Sequence, residues 1–275
     1  MQMAGCGQSP IGELFAYRQL LASLVWRDLR VRYKQSLLGM AWAVVLPLAM
    51  MLIFTFVFTR AVKVVDGLDI SMPYPLFAYI GLVPWAFFSS GLNGAVNSLV
   101  SNRNLVTKVY FPREVFPLSS IGSALADFCI ASMVLVGLIA YFDVATSWNY
   151  TPSTAVFFVP VVIGVQMLFT CGLGMLLAMA NLFFRDVRHV FSLVIQLWMF
   201  LTCVVYPIKN DGSWWGVLAV CNPMTPIIKA YRDCIIEGQI PAGGAFYMAC
   251  VTAVVTFVVG WAAFRRMSYK FAECI

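Results

Sequence analysis

Charge is what this sequence has least of. Of 275 residues, 18 are Lys or Arg and 12 are Asp or Glu, 11% in all, where a soluble domain carries about 25%. Histidine occurs once, at His189, and reads as an ordinary interfacial residue. No GxxxxGK[ST] stretch is present, so the chain has no loop of backbone amides to cradle the phosphates of ATP. HExxH, CxxC and Cys/His groupings with metal spacing are missing too. That argues against an intramembrane metalloenzyme, which needs several ligands on one ion.

What is there is apolar surface. Hydrophobic residues make up 61% of the chain and mean hydropathy is +0.86, more than one compact core can hide, so the surplus must face lipid. The charges leave long uncharged runs at 35–59, 70–102, 144–184, 189–208 and 238–264, and 117–142 is broken only by Asp127. About 20 apolar residues cross the hydrocarbon core as a helix. The expectation is an all-α integral membrane protein with six spans: 37–59, 76–99, 117–142, 156–184, 190–206 and 245–264. Residues 1–36 precede this domain of 37–264, and 265–275 form a short tail. The first ten residues lack a basic stretch leading into an apolar one, so no cleavable signal peptide is read.

With the amino terminus cytoplasmic, thirteen of the 18 basic residues fall inside, in 18–34, 103–113, 185–188 and 265–270. Five fall outside: Arg60, Lys63, Lys209, Lys229 and Arg232. Cationic loops resist translocation, so both termini are expected inside.

Three stretches outside the spans carry information. Residues 11–34 mix Leu14, Phe15, Leu21, Leu24, Val25 and Trp26 with a late basic cluster, which suits an amphipathic helix on the inner lipid surface; a basic tail held by anionic lipid fits as well. The inner connection 101–119 is too apolar for a solvated loop. Leu105, Val106, Val109, Tyr110 and Phe111 recur at helical spacing until Pro112 ends the pattern. Such a helix wants a protein partner, or packs on the ends of its own spans. The outer stretch 207–244, with Trp214, Trp215 and NPMTPIIKAYRD (222–233), is too long for a hairpin and too broken for a span. It reads as short re-entrant or interfacial helices, which at that depth must be covered by protein or face a water-filled cavity.

Inside the spans, Asp127 is the one ionisable residue placed deep, where a charge costs about 2.5–3.5 kcal/mol. Ser120 and Ser123 share its face, and the stripe is expected to bond Asn93 and Asn97, four apart on the second span. The other use of Asp127 is a proton relay, for which no second ionisable group lies nearby. Phe54 and Phe58 share one face of the first span, Phe191 and Trp198 one face of the fifth, with Tyr206 near its outer end. Such rings belong to lipid-facing surfaces or line a path over which sugar rings slide. The eight cysteines lie mostly within spans; Cys221 and Cys234, outside them, leave a disulfide open.

The blocks RDLRVRYKQSLLGMAWAVVLPL (27–48), LVTKVYFPREVFPLS (105–119), FFRDVRHV (183–190) and NPMTPIIKAYRD resemble the membrane subunits of bacterial polysaccharide-exporting ABC transporters. The likeness runs nearly end to end and is nearest to O-antigen exporters, with capsule and teichoic-acid exporters as cousins. It implies a non-catalytic, homodimeric permease of the inner membrane. Two cytoplasmic ATP-binding subunits would hold the ATP and magnesium, the permease itself having no cofactor and binding no nucleic acid.

By the same resemblance, Leu105, Val106, Lys108, Val109, Tyr110, Phe111, Arg113 and Glu114 would form the coupling contact to the ATPase, with Arg185 and Asp186 in a second one. Trp214, Trp215, Asn222, Tyr231 and Arg232 would belong to short periplasmic gate helices. The cargo would be a glycan on undecaprenyl diphosphate, moved through a channel at the dimer interface lined by spans one and five. Arg27, Arg30, Arg32 and Lys34 would be candidates to meet the diphosphate; attraction to ordinary anionic lipid explains them equally. Two rivals remain: an ABC exporter of a drug or another lipid, and a proton-coupled carrier, although no internal repeat of the kind carriers often show is found. A polyprenyl-phosphate transferase would need clustered acids, and the inner loops offer Asp28, Glu114 and Asp186.

Overall fold

The computed structural model describes residues 17–34, 39–61, 72–103, 105, 112–146, 148, 150–184, 186–206, 221–268 and 271. Eight α-helices lie among them: α1 (Arg18–Tyr33), α2 (Trp42–Phe56), α3 (Tyr74–Ser101), α4 (Val115–Thr146), α5 (Val159–Phe183), α6 (Val187–Leu201), α7 (Met224–Arg232) and α8 (Gly244–Met267). No strand occurs among the described residues. Lipid offers the backbone no hydrogen bonds, so a spanning segment must satisfy its own, and helices do this residue by residue.

Among the described residues, five helical stretches are long and apolar enough to cross a membrane: Gly39–Thr59, Tyr74–Ser101, Val115–Thr146, Thr154–Phe183 and Gly244–Met267. The expected span at 190–206 is the exception. Its helix, α6, has 15 residues, about 22 Å at 1.5 Å per residue, short of a hydrocarbon core of about 30 Å. Thr202 ends it by turning its hydroxyl back to the Trp198 carbonyl at 2.7 Å, and Cys203 then takes a positive φ of 53°, left-handed backbone that a side chain disfavours. Apolar composition continues to residue 206 but helix does not.

α3 is the hub. In its most apolar 18-residue stretch 78% is buried, against 11–33% for the other four spans. α4 and α5 pack on it, α8 stacks on α5, and α2, α6 and α7 each touch it. α5 and α8 meet backbone to backbone at Gly172 and Gly260, where a Cβ on either glycine would collide with the other helix. Large apolar side chains on α2 (Leu52, Phe56), α6 (Leu193, Leu197) and α8 (Val251, Val258) stay more than half exposed, as lipid or another subunit requires.

Candidate functional site

α7 is no surface helix. Met224, Ile227, Ile228, Ala230 and Tyr231 are all at most 2% exposed, wedged among α3, α5 and α8. The Tyr231 hydroxyl donates to Gln166 Oε1 at 2.8 Å, and Gln166 Nε2 donates to the Pro84 carbonyl at 2.7 Å. Next to it the Arg232 guanidinium lies 3.7 Å from the Phe77 ring centroid and donates to the carbonyls of Phe77 (3.2 Å) and Val204 (2.5 Å). A desolvated cation on a ring is worth about 2 kcal/mol.

The irregular segment after α6 thereby finds its hydrogen bonds. Val204 and Val205 are buried, and their carbonyls accept from Arg232 and from the Tyr74 hydroxyl, the latter at 2.7 Å. Non-helical backbone survives in lipid only when covered in this way. Gly81 makes the approach possible: a Cβ there would strike the Val204 carbonyl and the Arg232 guanidinium. Asn222 adds a third tie, accepting from Trp198 Nε1 at 3.0 Å and donating to Thr202 Oγ1 at 2.8 Å. Of the expected gate residues, Asn222 and Arg232 therefore tie the α7 segment to the end of α6, while Tyr231 ties it to α5 and α3. Trp214 and Trp215 lie outside the described residues.

α7 runs on into a π-helical turn, Asp233–Glu237, capped by Gly238 at φ 67°. The Tyr150 hydroxyl donates to the Ile235 carbonyl (2.9 Å) and the Ser153 hydroxyl to that of Gly238 (3.0 Å), pinning the turn near the start of α5. Burial pushes the Asp233 carboxyl up to about 6, with the Lys229 charge pulling part of the way back. Cys221 and Cys234 are unbridged thiols.

The aromatics divide. Phe54, Phe58, Tyr74 and Phe77 form a ladder with ring centroids 6.3, 6.0 and 6.1 Å apart, ending beneath Arg232. Trp198 meets Phe88 edge-on at 5.3 Å, and Phe191 is buried. Phe191, Ile195 and Trp198 are the inward face of α6, packed toward the chain's own core. The exposed face carries Val190, Leu193, Val194, Leu197 and Phe200. The Tyr206 hydroxyl donates to the Phe200 carbonyl.

At the other end α1 crosses α4. Leu24 is buried, and Val25 sits where Gly122 leaves room for it. Ser119 donates to Asp28 at 3.3 Å. Arg32 forms an ion pair with Asp127 and reaches the Ser123 hydroxyl at 3.4 Å; Tyr33 donates its hydroxyl to the same carboxylate. Burial first, then the bond to Asp127, pushes Tyr33 up to about 12, so it remains a donor at neutral pH. The expected link from Asp127 to Asn93 and Asn97 is not made. Both amides donate at 2.9 Å to carbonyls one turn earlier in α3, and a charged partner from α1 outcompetes neutral ones. Of the four basic residues, Arg27 pairs with Asp28 at 2.8 Å, Arg32 with Asp127, Arg30 lies 5.7 Å from the Trp26 ring, and Lys34 ends α1 exposed. The carboxyl group that a proton-driven carrier would titrate is thus held by a cation and a phenol.

Of the expected coupling residues, Val106, Lys108, Val109, Tyr110, Phe111 and Arg185 lie outside the described residues. Leu105 packs on the core. Asp186 is exposed and opens α6, its carbonyl accepting from His189 and Val190. Arg113 and Glu114 turn back into the chain. Glu114, with its side chain 5% exposed, pairs with Arg265 Nε at 2.9 Å, and Arg113 donates to the Ser268 carbonyl and lies 5.9 Å from the Phe271 ring.

Sequence reasoning missed Gln166, Asn181, Tyr74 and Gly81. The two amides had a signal: an uncharged but polar side chain within an apolar run must find a partner when buried. Asn181 does so by donating to the Val96 carbonyl at 2.8 Å. Gly81 had none, because the backbone that crowds it is more than a hundred residues away.

Comparison with known proteins places this arrangement. The profile of the ABC-2 type transporter family matches residues 19–236. An O-antigen export system permease protein, RfbA, of Myxococcus xanthus is 31% identical over 268 residues, covering 96% of this chain and 98% of its own length. A Klebsiella pneumoniae protein of the same name is 32% identical over 273 residues, covering 96% and 97%. The polysialic acid transport protein KpsM of Escherichia coli is 25% identical over 249 residues, covering 88% and 91%. With most of its length matched by the family profile and relatives aligned almost end to end, the chain belongs to the ABC-2 type transporter family, as a multi-pass, non-catalytic permease.

Proposed function

We propose that the chain is the membrane subunit of an ATP-driven exporter that moves a lipid-linked polysaccharide of O-antigen type, carried on undecaprenyl diphosphate, out of the cytoplasm. The observation that carries this is the near-complete alignment with permeases named for O-antigen export. In this reading two copies form a channel in the bacterial inner membrane with both termini cytoplasmic, in keeping with the placement of the basic residues. Two cytoplasmic ATP-binding subunits dock on 105–114 and on the turn at 185–186, and supply ATP and magnesium; the chain contains no phosphate loop of its own. The buried lattice around Arg232 anchors the outer gate to the end of α6. The exposed, charge-poor faces of α2 and α6 suit a sliding surface for sugar rings.

Deleting the gene tests the cargo. Surface glycan is expected to disappear while lipid-linked polymer accumulates inside the cell. Normal surface glycan in a strain without a second exporter overturns the polysaccharide reading and leaves a drug or other lipid as the cargo. Copurification tests the partner, and a permease that exports alone in liposomes refutes the proposal.

A further inference from the structure

Three elements that are far apart in sequence, the start of α4, the end of α8 and the end of α5, are linked through Arg113, Glu114 and Phe271. Glu114, the third residue after 111, is buried and pairs with Arg265 Nε at 2.9 Å. Arg265 in turn lies 5.7 Å from the Trp261 ring. Arg113 donates to the Ser268 carbonyl, where α8 ends. Phe271, fully buried, packs its ring 5.0 Å from that of Phe264 on α8 and 6.2 Å from that of Phe183. Phe183 is the last residue of α5, immediately before the second inner turn.

We infer that Glu114, Arg265 and Phe271 are positioning residues of a transmission clasp, which carries movement of the 105–111 segment into α8 and the end of α5 as well as into α4. This rests on the reading that an ATP-binding subunit docks on that segment. A push there reaches Glu114 through three residues only, and α4 begins at Val115. Covalent continuity alone would move α4. The ion pair, with Glu114 buried and Arg265 half-buried, makes α8 follow, since separating it leaves a buried carboxylate without its cation. α8 in turn abuts α5 at Gly260 and Gly172, with no side chain between them to absorb a displacement. The carboxy-terminal segment, to which the sequence assigned no role, then does the work of a link rod between the two inner turns.

The test uses the full complex with its ATP-binding subunit, carrying a fluorophore installed at position 105 or at exposed position 266. In the wild type both probes are expected to respond to nucleotide. With Glu114→Gln or Arg265→Gln the probe at 105 keeps its response, the one at 266 falls at least threefold, and export per ATP hydrolysed drops at least tenfold. Exchanging the charges, Glu114→Arg with Arg265→Glu, restores both readouts to within about threefold; a purely structural defect in the single variants would depress the probe at 105 together with the one at 266. If the single variants fail to accumulate, Phe271→Ala replaces them, because it buries no charge; it is expected to lower the response at 266 in the same way. A full response at 266 in the variants, or none there in a wild type that responds at 105, overturns the clasp. Silence at 105 in the wild type overturns the docking reading, and the clasp's role falls with it.

Discussion

Arg32 on α1 and Asp127 on α4 form an ion pair across 95 residues of sequence. The carboxylate is 18% exposed and the guanidinium 38%, so the pair lies between a surface bridge, worth about 0–1 kcal/mol, and a buried one, whose rupture costs about 3–5 kcal/mol. Asp127→Ala is expected to cost about 1–2 kcal/mol, and to raise hydrogen exchange throughout α1 while leaving α3 protected. Asp127→Asn keeps an acceptor for Tyr33 and loses less. A variant in which α1 stays as protected as in the wild type would show that Leu24 and Val25 alone hold the helix in place.

Gly81 and Arg232 serve one contact, the capture of the Val204 carbonyl. Gly81→Ala inserts a methyl group where that carbonyl sits and is expected to cost about 1–3 kcal/mol, the range for overpacking. Arg232→Met removes the donor and leaves buried carbonyls unpaired, at about 1–3 kcal/mol. Because both act on the same backbone segment, the double variant should cost clearly less than the sum. Thermal unfolding of the four proteins in one detergent provides the measurement, and strict additivity would place the two effects at separate points in the fold.

Much of this fold was legible because it depends on local composition. Runs without charge mark four of the five long helices, and the run broken only by Asp127 marks α4, whose start at Val115 lies two residues before the expected 117. The length of α6 was not legible. Residues 190–206 are uncharged and mostly apolar, and hydropathy cannot separate a helix from irregular backbone that other segments cover. Arg232 and Tyr74 supply that cover from 28 and 131 residues away. Asp127 was readable as a group in need of a partner. Asn93 and Asn97 attracted attention by their regular spacing, while the actual partners came from a helix outside the spans. Glu114 shows the same limit, since nothing near it in sequence points to Arg265.

Asp233 gives a pH dependence with a definite sign. Burial raises its folded-state value to about 6, above about 3.9 in an unfolded chain, so the folded state holds the proton more tightly. The stability this provides is complete below about pH 4 and is lost as the pH rises through about 6. Asp233→Asn removes the penalty. It should melt above the wild type at pH 8, by no more than about 1–2 kcal/mol since the group is partly solvent-screened, and the two should converge near pH 4. A constant difference across that range would mean that the carboxyl group is not the source.

The bond between Tyr231 and Gln166 tests whether α7 is held by polar contacts or by packing alone. Tyr231→Phe removes the donor to Gln166 Oε1, and Gln166→Leu removes both that acceptor and the donor to the Pro84 carbonyl. Either change strands a buried polar atom, which in a water-soluble core costs about 1–3 kcal/mol. In lipid the unfolded reference state keeps its own hydrogen bonds, and measured couplings average about 0.6 kcal/mol with a ceiling near 1.7. The double variant Tyr231→Phe with Gln166→Leu is therefore expected to be more stable than additivity requires by about 0.6–1.7 kcal/mol, the stranded hydroxyl having gone with its acceptor. A coupling of zero would assign the anchoring of α7 to Met224, Ile227 and Ile228, whose burial neither substitution touches.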